Sequence, residues 1–327
     1  MLRYNKIYIF ILAFFVVQCI QYDKVESLNY LFYQKASYCP RNNITNWECG
    51  NICKFHPSMK DILVYYNDTH AAQGYLGFDR GQIVITFRGS TRTLTNWIYN
   101  FDVKKSPFQK CQNCSVHSGF LKTYIDIKEQ LLQNLDNLIF KYPQAPIIIS
   151  GHSLGAAIAT IAAIDIQHFL SENSYQNTIK EVHTFGSPRV GNQAFAEYYN
   201  KLIPQTVRVV NNYDIVPHIP PNNIGYYHVG TEVWLNKQFI QQKDCQPFKE
   251  DDSCSKSVRS IVSYSIFDHV NYLGNDTGCK APFSEIICYL ESGIEQGCVD
   301  QDLEEAISKS RNNKIRLLFL TQEFLQN

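Results

Sequence analysis

The chain has 327 residues, 45% of them hydrophobic and 18% charged, which supplies a sizeable core and excludes a disordered polypeptide. Lys plus Arg and Asp plus Glu both number 30, so the basic excess that a phosphate-backbone binder needs is missing, and nucleic acid drops out as a partner. The length suits one large α/β domain or two ordinary ones.

Arg3 and Lys6, an apolar run over 7–17 and the small-residue exit Val17-Gln18-Cys19 predict a signal peptide over 1–19. Eleven apolar residues fall short of the about 20 that span a bilayer. An uncleaved anchor stays open as the alternative, because Phe and Ile make the run strong. No other stretch is expected to cross a membrane. Removal of the leader takes Cys19 with it and leaves ten cysteines, an even number suited to disulfides in an oxidising compartment. It also leaves 28 basic against 30 acidic residues, a charge of −2. Sequons at Asn43, Asn67, Asn113 and Asn275 are expected glycan acceptors and agree with secretion.

Residues 20–60 are rich in Cys, Asn and Pro and show little periodicity. From Asp61 short β-branched runs alternate with longer amphipathic stretches. Strands are predicted over 83–87, 146–150, 180–185 and 206–210, and helices over 124–142, from Ile127, Leu131, Leu135, Leu138 and Ile139, and over 154–170. This order implies an α/β fold, a mainly parallel sheet covered by helices on both faces. From about 280 the composition turns to a Cys-containing and then charged helical segment, so the domain plan is 1–19 leader, 20–279 α/β domain and 280–327 extension.

Gly151-His152-Ser153-Leu154-Gly155 fits G-x-S-x-G in the setting that the motif requires, with a strand entering and a small-residue helix leaving. Such a turn lifts the serine hydroxyl to the carboxyl edge of the sheet, where the next backbone N–H meets an oxyanion. A serine nucleophile needs a base, and the base an orienting carboxylate, here in the order Ser, acid, His. Asp214, after the strand at 206–210, is the expected acid; Asp165 is the weaker candidate because it lies inside the helix that starts at the serine. His218 sits in a Pro-rich loop four residues from the acid and reads as structural. His228 and His269 both remain open as the base on spacing alone.

Several ordered blocks resemble the class 3 lipases, the secreted fungal triacylglycerol lipases with their feruloyl esterase relatives. They are Ile85-Thr86-Phe87-Arg88-Gly89-Ser90, Asn96-Trp97-Ile98, Val116-His117-Ser118-Gly119-Phe120, the serine motif, Gly186-Ser187-Pro188-Arg189-Val190-Gly191, the stretch 214–221, and Asp268-His269-Val270-Asn271-Tyr272. The resemblance covers residues 38–279. It implies an α/β-hydrolase fold, Ser153 as nucleophile, Asp214 as acid, His269 as base, and the amides of Ser90 and Leu154 as oxyanion hole. It also implies a lipid or ester substrate met at a transient lipid–water interface by a monomer without cofactor or metal. Disulfides Cys39–Cys279, Cys49–Cys53 and Cys245–Cys254 are carried over from the family. Cys111, Cys114, Cys288 and Cys298 depart from its pattern; Cys111–Cys114 and Cys288–Cys298 are then expected as local bridges, since 111–114 lacks the strand and helix of a thioredoxin site. Within the fold, a feruloyl esterase, a phospholipase or an inactive binding protein are the alternatives to an acylglycerol lipase.

The family's lid follows the first oxyanion residue, here 91–98, where Leu94, Trp97 and Ile98 stand among Thr and Asn. Trp97 equally suits a core position. If these side chains cover the site in water, exposing them costs about 1.5–3 kcal/mol each, a cost that disappears at a lipid surface. Short-chain ester hydrolysis followed through the solubility limit is therefore expected to turn upward when an emulsion forms. A plain saturation curve would remove the lid role and favour a soluble ester.

Overall fold

Ile83, Ile85 and Phe87 face one side of their strand and Val84 the other, and Ile147 and Ile149 are split from Ile148 in the same way. Strands apolar on both faces have to be covered twice, and helices do so here. The computed structural model describes residues 22–90, 102–258 and 264–279. Its elements in chain order are α1 (Lys24–Ala36), α2 (Arg41–Thr45), α3 (Asn51–Lys54), β1 (Lys60–Asn67), β2 (Ala72–Asp79), β3 (Gln82–Phe87), β4 (Lys105–Pro107), β5 (Ser115–His117), α4 (Ser118–Lys141), β6 (Ile147–His152), α5 (Leu154–Glu172), β7 (Ile179–Phe185), α6 (Gln193–Leu202), β8 (Thr206–Asn211), β9 (Thr231–Leu235), β10 (Gln241–Asp244) and α7 (Phe267–Val270). Eight strands form one sheet in the order β1-β2-β3-β6-β7-β8-β9-β10. The run β3-β6-β7-β8-β9 is parallel, and β1-β2-β3 and β9-β10 pair antiparallel at the two edges. With helices on both faces this is an α/β-hydrolase fold.

α4, α5 and α6 cover one face, and α1 with α3 the other. α1 was hidden in the stretch read as aperiodic. Ten of its thirteen residues, Ser27 to Ala36, are buried, so it has no polar stripe to create a period. Its start is fixed by Asp23, whose Oδ1 accepts from Val25 N at 2.8 Å and Glu26 N at 3.2 Å. α4 begins at Ser118, six residues before the predicted start, because His117 Nδ1 caps the amides of Gly119 and Phe120 at 3.1 and 3.3 Å. Contrary to the expectation from sequence, α5 is itself long and apolar enough to cross a bilayer; 72% of its apolar window is buried within the domain, which accounts for that composition.

Disulfides join Cys39–Cys279, Cys111–Cys114 and Cys245–Cys254. The expected Cys49–Cys53 bridge is not formed. Cys49 Sγ lies 3.6 Å from the Asn43 carbonyl oxygen, and both cysteines are buried thiols. A hydrogen bond with Cys49, and burial after it, push the Cys53 thiol up. Cys288 and Cys298 lie outside the described residues, as do the leader and the extension. Asn275 is corrected as a glycan acceptor: it is 1% exposed and its Nδ2 donates to the Leu273 carbonyl, so a glycan has no room. Asn43 and Asn113 are exposed, and Asn67 is half-buried.

Under α1, the buried Asp79 accepts from Tyr33 Oη at 2.5 Å, from the exposed Ser58 Oγ, and faces the buried His56 Nδ1 at 3.3 Å. Burial alone would raise this carboxyl, but the bonds from His56, Ser58 and Tyr33 outweigh it and hold it at about 2. A carboxyl depressed in the folded state stabilises above its unfolded value and loses that contribution as pH falls through the folded value. Unfolding by urea between pH 5 and pH 2 is thus expected to show about 2 kcal/mol of acid-sensitive stability that Asp79→Asn lacks. Equal acid sensitivity in the two proteins would deny Asp79 this role.

Candidate active site

No side chain fits two residues to either side of Ser153. A β-carbon at Gly151 would lie 2.4 Å from the Gly155 carbonyl oxygen, and one at Gly155 only 2.1 Å from that of Phe87. β6 can therefore turn into α5 within one residue, and Ser153 takes the left-handed conformation φ 59°, ψ −129°. A non-glycine residue there costs about 1–3 kcal/mol and persists only where its surroundings hold it. Ser153 N donates to the Phe185 carbonyl at 3.0 Å, and the Ser153 carbonyl accepts from Ala156 N at 3.0 Å and Ala157 N at 3.3 Å. Leu154 is the first residue of α5, where backbone N–H groups have no partner within the helix. The close fit of Gly155 on Phe87 brings the end of β3, and with it Ser90, against this turn.

Asp214 follows β8 and is fully buried. Its Oδ1 accepts from Val216 N at 2.8 Å; Oδ2 accepts from Tyr272 Oη at 2.5 Å; His269 Nδ1 lies 3.0 and 2.9 Å from the two oxygens. A bridge between Asp214 and Ser265 carries α7 to this place, and Asn211 Nδ2 donates to the carbonyls of Asp268 and Asn271 to hold it there. His269 is 1% exposed, and its Nε2 has no hydrogen-bond partner among the described residues. With Nδ1 donating to the carboxylate, Nε2 is the acceptor nitrogen.

The other candidates are drawn away. His228 is buried, its Nε2 2.7 Å from the Pro217 carbonyl, and burial pushes it well below the usual histidine range. It pins the loop after Asp214, in company with Arg189, whose guanidinium donates to Pro220 O at 3.2 Å and to Glu250 at 2.8 and 3.0 Å. It is not on a strand, as the sequence suggested, but between β8 and β9. His218 packs against Tyr264, ring centroids 4.4 Å apart and tilted by 34°, and burial holds it at about 3. Asp165 is engaged by Tyr124 Oη at 2.9 Å and Lys128 Nζ at 2.7 Å. Leu94, Trp97 and Ile98 lie outside the described residues.

Two residues were not singled out by their sequence. Tyr272 was quoted in a block without a role; burial, then the Asp214 charge, push its hydroxyl well above the usual range, so it stays a donor. Gly186, at the end of β7, is left-handed (φ 56°), and a β-carbon there would lie 2.8 Å from Asp214 Oδ2 and from two atoms of the His269 ring. Its signal was the Gly186-Ser187-Pro188 punctuation after a strand.

The fold and this arrangement define an α/β-hydrolase with a serine turn and a buried acid–histidine pair. The family model Lipase (class 3) matches residues 84–224. A lipase of Rhizomucor miehei is 32% identical over 250 residues, which are 74% of this chain and 66% of that protein. The solved structure of R. miehei triacylglyceride lipase superposes with a TM-score of 0.69 at 30% identity, covering 78% of this chain and 96% of that one. Secreted mono- and diacylglycerol lipase 1 of Fusarium solani is 33% identical over 214 residues, 63% of this chain and 62% of that protein. The chain thus matches slightly under two thirds of the length of these two relatives. It belongs to the class 3 lipase family.

Gly186→Ala is expected to push Asp214 and His269 apart and to force a left-handed alanine. A stability loss of about 1–3 kcal/mol in urea is expected, with the Asp214–His269 bond disturbed. Unchanged stability, with an unchanged downfield His269 Nδ1 proton in NMR, would show that the fold yields there freely.

Proposed function

We propose that the protein is a secreted carboxylic ester hydrolase that cleaves acylglycerols through a Ser153–His269–Asp214 triad. The observation that carries this reading is the His269 ring, which donates from Nδ1 to buried Asp214, keeps Nε2 as an acceptor and packs 4.4 Å from the ring of His152, the residue before Ser153. In this reading Ser153 Oγ attacks the ester carbonyl while His269 Nε2 takes its proton. The amides of Ser90 and Leu154 hold the tetrahedral oxyanion, and the buried Asp214 carboxylate stabilises the imidazolium that forms. His269 passes the proton to the leaving alcohol, leaving Ser153 acylated. Water then attacks the acyl group with His269 as base, and Ser153 leaves with the proton returned. No cofactor or metal is required by these steps. Secretion is supported by the apolar leader pattern, the disulfides and the secreted Fusarium relative. That relative's name makes mono- and diacylglycerols the second substrates to try beside triolein.

Labelling with a fluorophosphonate tests the class, and an inactive binding protein would take no label. Ser153→Ala and His269→Ala are each expected to lower kcat by about 10⁴ to 10⁶ while the fold stands. His228→Ala is expected to keep the chemistry and to lose about 1–3 kcal/mol of stability through the freed Pro217 carbonyl. More than a tenth of the activity remaining in Ser153→Ala, or a dead His228→Ala beside a live His269→Ala, would overturn the assignment.

A further inference from the structure

Segments remote in the chain meet behind the Ser153 turn, and a line of hydrogen bonds threads them. His152 is 2% exposed; its Nε2 lies 2.7 Å from the His269 carbonyl oxygen and its Nδ1 3.0 Å from the Tyr38 hydroxyl. A carbonyl only accepts, so Nε2 carries the proton. Burial first, and the nearby His269 second, hold His152 well below the usual histidine range and keep the ring neutral. Nδ1 is then an acceptor, and Tyr38 must donate to it. The Tyr38 oxygen is left to accept, and the Gly89 backbone N–H bonds to it. Only one direction is available: Gly89 N–H to Tyr38, Tyr38 to His152, His152 to the His269 carbonyl.

The two ends of this line matter for the chemistry. Gly89 precedes Ser90, and a β-carbon on it would lie 2.1 Å from the Tyr38 oxygen, 2.7 Å from the His152 carbonyl oxygen and 3.2 Å from Ser153 Cβ. At the other end the His152 ring packs 4.4 Å from the His269 ring, centroid to centroid. We propose that Tyr38 and His152 are positioning residues, which fix the oxyanion side of the site at Gly89–Ser90 relative to the base at His269, across Ser153. The proposal rests on the ester-hydrolase reading and extends it to two residues that touch no reacting atom. Stability alone does not call for this hydroxyl and imidazole, since apolar groups of the same shape in both places can be nearly neutral. What the polar pair adds is a set distance between two backbone segments that no strand pairing joins directly.

Tyr38→Phe removes one oxygen and breaks two links of the line while keeping the half-buried ring. Its kcat on p-nitrophenyl butyrate is expected to fall about tenfold with KM within about twofold, the signature of misplaced reacting groups rather than lost binding. The rate of Ser153 phosphonylation, counted per molecule that finally takes label, is expected to fall in step, which removes any unfolded fraction from the comparison. His152→Gln, whose amide can still donate to the His269 carbonyl, is expected to recover most of the rate that His152→Leu loses. Tyr38→Phe with parental kcat and labelling rate, a loss confined to KM, or Gln and Leu variants of equal activity would each overturn the proposal. Failure of the underlying reading is distinct, because the parent protein would then take no phosphonate at all.

Discussion

The distance from Gly155 to the Phe87 carbonyl is the constraint on which the rest depends. With 2.1 Å between a notional β-carbon and that oxygen, α5 can leave β6 only where residue 155 has no side chain. The start of α5 then packs onto the end of β3, which fixes where Leu154 and Ser90 stand relative to each other. It also obliges Ser153 to take up the whole change of direction in one left-handed residue. The cost of that conformation is met by burial of the helix behind it, Ala156 to Ile164 being almost without solvent contact. Packing energy from one side of the sheet thus holds a strained serine at its edge.

The acid–histidine pair depends on a different kind of support. Asp214 is surrounded by donors: Val216 N, Tyr272 Oη and His269 Nδ1. A buried carboxylate with three such partners is held at a fixed place. Behind it, His228, Arg189 and Glu250 clamp the loop 215–220, and the Cys245–Cys254 disulfide lies in the same region of the chain as Glu250. His228, one of two open candidates for the base, therefore bears on the site through the acid's loop. Arg208, beneath this layer, donates to the Val229 carbonyl at 2.6 Å and to Glu232 at 3.3 Å, so the charged layer continues under the sheet edge.

Features dictated by local chemistry were legible in the sequence. The strand over 83–87, the serine turn and the helix after it show as apolar runs and small residues in a short window. Asp214 was readable because it follows a strand at its carboxyl end. The choice between His228 and His269 was not, since spacing along the chain does not say which loop returns to the acid; that depends on the Asp214–Ser265 bridge and the Asn211 side chain. α1 escaped notice for the opposite reason to α4: burial on nearly every side removes the periodicity that α4 displays. The Asn275 sequon failed because a triplet carries no information about accessibility, and the Cys49–Cys53 pair because two thiols close enough to hydrogen-bond need not be joined. Gly186 and Tyr38 show the same limit. Their roles exist only between segments 28 or more residues apart, Gly186 with Asp214 and Tyr38 with Gly89.

The Cys39–Cys279 bridge links residues 240 positions apart, with their α-carbons 5.0 Å from each other. Covalently, nearly the whole described domain is therefore a ring. A protease that cuts once between these cysteines opens the ring without producing two separate molecules, and both pieces keep their packing partners within reach. A nick in a surface loop then amounts to a change of connectivity and leaves the assembled sheet tethered.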